Sequence, residues 1–411
     1  MDKVRTLNRR QLLTWAPGVS LLTALRAQSN GLRITAIETF VVDVSPKGNW
    51  VFVRLRTNQG LSGLGEASHG MPGGAQRVAG ARRMVGLLGE FFELVRNESP
   101  FDIEQYRQRG MSKARAGKLP AATAFSAIEQ ALWDLCGKAA GVPVCDLLGG
   151  RLRSELPVYA NINRATVERT PEAFAANAAA AVRQGFRTLK AAPFDGFPNL
   201  ATASKAEIDK AKELGIAFVE AIRKAAGPQV EVYIDCHSFF DVPLAIEVAK
   251  RLEPLRLGWY EEPVPPERVA ETLEIKRGIR QRMSGGEILF GMEGFRELCE
   301  KHAVDVIMPD VKHCGGLQEA RNIAALANLH GGIEVSPHNP AGPVSTIASA
   351  HLCAGIPNFR VLEYQWGEVD WRHDLVTPAE VFEKGGIRVP VNRPGFGVEL
   401  NDKLVQAHSV Q

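Results

Sequence analysis

The apolar positions of this chain change their period twice. From residue 31 to 68 they alternate as strands do: Ile34, Ile37 and Phe40 to Val42, then Trp50-Val51-Phe52-Val53-Arg54-Leu55, with Asn58-Gln59-Gly60 supplying a turn. A three-stranded meander is the simplest reading. From Gly74 to Gly141 the spacing becomes helical, most clearly over Ala121 to Ala140, where Ala124, Ile128, Leu132 and Leu135 fall on one face. Gly141-Val142-Pro143 stops that helix. The opening region therefore reads as an α+β unit, distinct from the remainder of the chain.

From Leu156 onward strand and helix alternate. Strands are expected at Val158–Ile162, Thr188–Ala192, Glu231–Asp235, Gly258–Glu261, Met283–Glu287, Val304–Pro309, Ile333–Ser336 and Arg360–Glu363. Between them lie helical stretches. Thr170-Pro171 to Gly185 has an N-cap, a proline at the first position and a closing glycine, and others run from Ser204 to Gly227 and from Val242 to Leu252. Eight such units close a (β/α) barrel, in which reactive groups gather at the C-terminal ends of the strands. A doubly wound open sheet is the structural rival, but no Gly-rich phosphate loop comes after the first strand. The expected fold is thus a modified TIM barrel with an N-terminal α+β capping domain, the cap over residues 30–155 and the barrel over 156–384.

Three carboxylates stand out at those strand ends: Asp235 in Val-Tyr-Ile-Asp-Cys-His, Glu261 in Trp-Tyr-Glu-Glu-Pro and Glu287 in Ser-Gly-Gly-Glu, spaced 26 residues apart. About 25 residues is what one strand, one helix and two short loops consume in such a barrel, so all three should surface on one rim. Crowded carboxylates repel one another and take up protons unless a cation sits between them. Oxygen-only ligands favour a hard ion, Mg²⁺ over Zn²⁺. Other strand ends carry Asp310, His338 and Glu363, and the second strand puts the ammonium of Lys190 on the rim. If neighbouring strands bring Asp310 and His338 together, the carboxylate can orient the imidazole and raise its basicity. His237, two residues past the first candidate ligand, is placed to act as an acid. Glu262, beside the second, reads as a support of the barrel, and His302, His313, His330 and His351 as surface or packing residues.

Composition narrows the class. The chain has 411 residues and 45% apolar content, enough for a large core and two domains. Its formal charge of +3 comes from the first 27 residues, where Lys3, Arg5, Arg9, Arg10 and Arg26 oppose only Asp2. The remainder holds 44 basic against 45 acidic side chains, which gives no electrostatic reason to expect nucleic acid as a partner. Asn8-Arg9-Arg10-Gln11-Leu12-Leu13, followed by a mildly apolar stretch to Leu25 and Ala27, resembles a twin-arginine export signal over residues 1–29. The expected location is periplasmic, with a cytoplasmic leader holding a chance Arg pair as the alternative. The stretch is too short, and too interrupted by Pro17 and Gly18, for a membrane span. Six scattered cysteines show no paired metal-site spacing and argue against a disulfide framework.

The joint pattern resembles the mandelate racemase branch of the enolase superfamily. It is carried by Ser126-Ala127-Ile128-Glu129-Gln130-Ala131-Leu132-Trp133-Asp134, Glu261-Glu262-Pro263, Gly286-Glu287, Pro309-Asp310 with Gly315-Gly316, and His338-Asn339-Pro340, and spans about residues 32 to 400. The resemblance implies that Asp235, Glu261 and Glu287 bind Mg²⁺, and that Asp310 and His338 move the α-proton of a small carboxylate substrate. It implies that residues 385–411, with Pro394-Gly395-Phe396-Gly397, return to the cap, and that loops near Ser45 to Trp50 and Glu66 to His69 cover the site. It also implies a homo-oligomer, dimer or octamer.

Racemases and cycloisomerases of the group carry two lysines on the second strand, separated by one residue; here the second position is Ala192. One base suits elimination better than racemisation. Asp235-Cys236-His237 is similar to the ligand-plus-histidine motif of galactonate dehydratases. The expectation is therefore a sugar acid dehydratase acting on an aldonate or aldarate. In it Lys190 holds the substrate carboxylate or pairs with a ligand, and Glu363, when protonated, donates a hydrogen bond. An epimerase on the same fold and a catalytically idle exported binding protein are the alternatives. The loop Pro193-Phe194-Asp195-Gly196-Phe197-Pro198 carries no assigned role.

Overall fold

The computed structural model describes residues 31–410 except 47, 72 and 384. The export leader expected over residues 1–29 lies outside the described residues. Strands β1 (Ile34–Ser45), β2 (Gly48–Thr57) and β3 (Ser62–Glu66) form the antiparallel meander. It packs on the helix Lys118–Ala140 at very short range, since a Cβ added at Gly65 would lie 2.0 Å from the Ala127 carbonyl oxygen. Only glycine permits that approach.

The barrel strands are β4 (Glu155–Asn161), β5 (Thr188–Ala191), β6 (Glu231–Asp235), β7 (Trp259–Glu261), β8 (Met283–Gly285), β9 (Val306–Ile307), β10 (Glu334–Val335) and β11 (Leu362–Gln365). β4 to β10 pair in parallel in chain order and β11 returns to pair with β4, while a bridge between Val335 and Phe359 completes the ring. Several strands are shorter than the apolar runs suggested. β8 ends at Gly285 and β9 at Ile307, so Glu287 and Asp310 stand in the loops beyond their strands. The helix signals hold: Thr170 accepts from Ala173 N at 3.1 Å, and Ser204 with Glu207 forms a capping box. Among the described residues no helix is long and apolar enough to cross a membrane.

Side chains two apart on a strand share a face. Tyr159, Tyr233 and Trp259 thus form one buried inward layer, with Tyr233 and Trp259 stacked and Tyr159 edge-on to both. Asn161, Asp235 and Glu261 stand one step further up the same strands. The aromatic layer is the floor of the rim on which the acidic groups sit.

Carboxylates also join cap to barrel. Glu129 accepts from Leu317 N at 2.7 Å and Gln318 N at 2.9 Å, at the start of the helix Gly316–Leu329. Glu66 accepts from Gly342 N at 2.6 Å and Ser345 N at 2.8 Å, at the start of Pro343–Gly355. Each satisfies orphan N–H groups at the positive end of a helix dipole. Gly316, at φ 90°, leaves room for Glu129, whose Oε2 would be 2.1 Å from an added Cβ. Asp134 accepts from Leu64 N and from Phe396 N, tying cap strand, cap helix and C-terminal segment together. That segment first pairs Gly386–Arg388 with β4, then meets the cap through Asp402 with Arg54 and Val410 N with the Val41 carbonyl.

His351 belongs to this joint. It is fully buried; Nδ1 accepts from Cys145 N at 3.2 Å and Nε2 donates to the Phe396 carbonyl at 3.3 Å. Burial lowers its pKa from 6.5 to about 4. The unfolded chain therefore binds a proton that the folded chain refuses between those values, and stability falls as pH drops through that window. We expect His351→Gln to flatten the pH dependence of urea unfolding between pH 6.5 and 4 by about 3 kcal/mol. An unchanged slope would mean that His351 is not held neutral by its surroundings.

Candidate active site

A cavity of about 480 Å³ opens over the C-terminal ends of the strands, lined on the barrel side by Lys190, Asp235, His237, Glu287 and His338 and on the cap side by His69. Asp235, Glu261 and Glu287 each offer an oxygen within 4.8 Å of the others. Asp235 and Glu261 end adjacent strands in register, whereas Glu287 arrives from the loop after β8. Glu262 directs that loop: its Oε1 accepts from Gly286 N at 2.6 Å and from Glu287 N at 3.3 Å. Burial, then Glu287, pushes the Glu262 carboxyl up to about 8.

Lys190 reaches into the triad. Its Nζ donates to Glu261 Oε1, lies 2.9 Å from Asp235 Oδ2 and is 4.0 Å from Glu363 Oε1. Burial opposes its charge, but Asp235 and Glu261 outweigh burial and hold it protonated. One ammonium does not satisfy three carboxylates. Burial and Asp235 still push Glu261 far above the usual carboxylate range, and the buried Glu287 Oε2 has only the His338 imidazole, 3.2 Å away, beside it. An all-oxygen donor set of three carboxylates facing one ammonium fits a hard divalent cation. Trp259 Nε1 donates to Glu261 Oε2 at 2.9 Å, so the aromatic floor orients this group from below.

Two imidazoles flank the triad. His338 Nδ1 is 2.7 Å from Asp310 Oδ2, and its Nε2 is 3.2 Å from Glu287 Oε2. Burial opposes protonation of His338, but Glu287 and Asp310 together raise its pKa. Asp310 in turn is held by Lys312, whose Nζ is 2.6 Å from Oδ2 and whose backbone N is 2.7 Å from Oδ1. Against burial, Lys312, His313 and His338 keep Asp310 far below the usual carboxylate range. His237 lies on the other side: Nε2 is 3.3 Å from Asp235 Oδ2 and Nδ1 is 2.5 Å from Asp195 Oδ1. Burial opposes its charge, but Asp235 and Asp195 raise its pKa well above 6.5.

Residues 33–149 match the family described as mandelate racemase / muconate lactonizing enzyme, N-terminal domain, and residues 173–404 match the enolase C-terminal domain-like family. The chain belongs to the mandelate racemase / muconate lactonizing enzyme group of the enolase superfamily. A D-xylonate dehydratase of Haloferax volcanii is 32% identical over 95% of this chain and 92% of its own. A D-galactonate dehydratase of Pectobacterium atrosepticum is 30% identical over 91% and 94%. A solved mandelate racemase/muconate lactonizing enzyme-like protein from Rubrobacter xylanophilus superposes with a TM-score of 0.82 at 34% identity, covering 93% of this chain and 98% of that one. Members of the superfamily bind a divalent metal, and the described residues of this one hold two clusters with ligand spacing. In the second, Asp310 with His313 and His338, the one carboxylate is matched by the Lys312 ammonium, whereas the three carboxylates of the triad share the single ammonium of Lys190, so the triad is the group that fits a cation.

In this enolase superfamily member the sequence-derived residues Asp235, Glu261, Glu287, Lys190, His237, His338, Asp310 and Glu363 converge on one rim. One reading needs correction. Glu363 is an acceptor: Asn161 Nδ2 donates to it at 2.6 Å and Asn339 N at 2.7 Å, and against burial Lys190 and His338 hold its carboxyl below the usual range. It is not a protonated donor. His313 fits the packing half of its reading: it is 2% exposed and sits 2.9 Å from Thr123 Oγ1, with burial lowering its pKa to about 3, and it also lines the cavity. Sequence reasoning missed Asp195, Lys312 and Arg164. Asp195 lies in a loop already singled out, but its partner His237 is 42 residues away and no local pattern links them.

Replacing Lys190 with Met removes the triad's only close ammonium among the described residues. Breaking a buried pair by removing one partner costs about 3–5 kcal/mol. We expect that loss in urea unfolding with chelator present, and partial recovery on adding Mg²⁺, which gives the variant more stability than it gives the wild type. Equal responses of the two proteins would show that Lys190 and the cation do not share a charge-balancing role.

Proposed function

We propose that the protein is a Mg²⁺-dependent sugar acid dehydratase that converts an aldonate or aldarate to a 2-keto-3-deoxy acid. One observation carries this reading: two imidazoles contact different carboxylates of one triad, His338 at Glu287 and His237 at Asp235. An α-proton acceptor and a leaving-group donor thus flank the place where a substrate carboxylate would be held. The relatives named as xylonate and galactonate dehydratases support the reaction class.

Asp235, Glu261 and Glu287 would hold the cation, and when bound it supplies positive charge beside the substrate carboxylate while the α-carbon loses its proton. Asp310, fixed by Lys312, holds His338 Nδ1–H, which leaves Nε2, beside Glu287, as the atom that accepts that proton. Lys190 balances part of the charge of Asp235 and Glu261, and the cation would balance the rest. His237, protonated through Asp235 and Asp195, gives a proton to the β-hydroxyl, and the β C–O bond breaks with loss of water. The enol that remains tautomerises to the 2-keto-3-deoxy acid. Epimerisation needs a second base for the other face. Lys190 is engaged by two carboxylates and the following inward position is Ala192, which favours elimination. The resemblance of residues 1–29 to a twin-arginine signal supports export of the folded enzyme.

His338→Asn should lower turnover by about 10²–10⁴-fold and stop exchange of the α-proton with D₂O. His237→Asn should lose dehydration to a similar extent while exchange of the α-proton continues. Proton NMR of sugar acid incubations in D₂O reads both. Native-rate elimination by the His338 variant would rule the scheme out.

A further inference from the structure

We infer that Arg164, clasped between His69 of the cap and Glu368 of the barrel, selects the substrate: it binds distal hydroxyls of an uncharged sugar chain and, with its charge cancelled by Glu368, turns away a second carboxylate. This rests on the dehydratase reading above. Arg164 follows β4 and lines the cavity with His69. Its Nη1 donates to Glu368 Oε1 at 3.0 Å and to His69 Nε2 at 2.9 Å, and its Nη2 lies 3.3 Å from His69 Nδ1. The Glu368 side chain is 1% exposed and its Oε1 also accepts from Ser45 Oγ at 3.2 Å, at the end of β1. The clasp therefore spans both domains and holds the guanidinium in place. A guanidinium carries five N–H donors in a fixed fork, more than these contacts use, so donors remain for a ligand.

The charge pattern of the cavity sets the preference. Among the described residues, each cation that lines it already has a carboxylate: Lys190 has Asp235 and Glu261, His237 has Asp195 and Asp235, His338 has Asp310 and Glu287, and Arg164 has Glu368. His69 adds no charge, because burial and then Arg164 hold its pKa well below 6.5. One substrate carboxylate is provided for at the triad. A second, at the cap end, would shed its water without gaining an unpaired cation. Hydroxyls there need only hydrogen-bond partners, and the remaining N–H groups of Arg164 supply donors.

The test compares wild type, E368Q, R164Q and the double variant on five- and six-carbon aldonates and the matching aldarates, with saturating Mg²⁺ and thermal melting as the control for folding. Wild type should favour aldonates by about 100-fold in kcat/KM. E368Q, which uncovers the guanidinium charge, should narrow that ratio about tenfold through a lower KM for aldarates. R164Q should raise KM for aldonates about tenfold with kcat changed far less, and the double variant should show no gain on aldarates. Should R164Q not fold, R164K, which keeps the charge and loses the fork, should still raise KM for aldonates. Equal use of both classes by wild type, or an unchanged ratio in folded E368Q, overturns the inference and leaves the dehydratase reading standing. No turnover of either class by wild type overturns both.

Discussion

The rest of the site depends on one electrostatic constraint, the gathering of negative charge in a mouth largely closed to water. Asp235, Glu261 and Glu363 are almost wholly buried, with Glu287 beside them. Such groups stay ionised only beside compensating charge. Lys190 supplies part of it from below, and His237 and His338 supply more from the sides. What remains unsatisfied is the affinity for a divalent cation. Each flanking imidazole is therefore both a counter-charge and a group that exchanges protons, and its basicity is set by the carboxylates it balances.

That concentration of charge needs a stiff support, which comes from strand periodicity. The rings of Tyr159, Tyr233 and Trp259 pack one step below Asn161, Asp235 and Glu261 on the same inward faces. Trp259 packs against the floor and hydrogen-bonds Glu261 at once. The cap is fixed to this barrel by buried carboxylates at helix N-termini, Glu129 and Glu66, so the loop carrying His69 is held over the cavity. The Ser126 to Asp134 run reads, in physical terms, as a docking strip: Ser126, Glu129, Gln130 and Asp134 all bond to backbone groups outside their own helix.

The barrel and the triad were legible because both are written locally. An apolar run ending in a carboxylate, repeated every 26 residues, specifies strand, rim and ligand together. The Asp310 and His338 pair was legible through adjacent strand ends. Lengths of the short strands were not, since β8 and β9 give way to polar loops before their apolar runs finish. Nor were contacts between remote segments: Asp195 with His237, Arg164 with Glu368 and His69, and Thr123 with His313 join loops that nothing in the local pattern connects. Glu363 shows a further gap. Its position could be read from the sequence, but its ionised state depends on Asn161, Asn339 and Lys190, which only the fold brings to it.

The most direct test of the account is a screen of the protein against a library of sugar acids, with and without Mg²⁺, detecting 2-keto-3-deoxy products. The account predicts product from at least one sugar acid, dependent on the cation and abolished by chelator. Tight Mg²⁺ binding with no product from any sugar acid would contradict it.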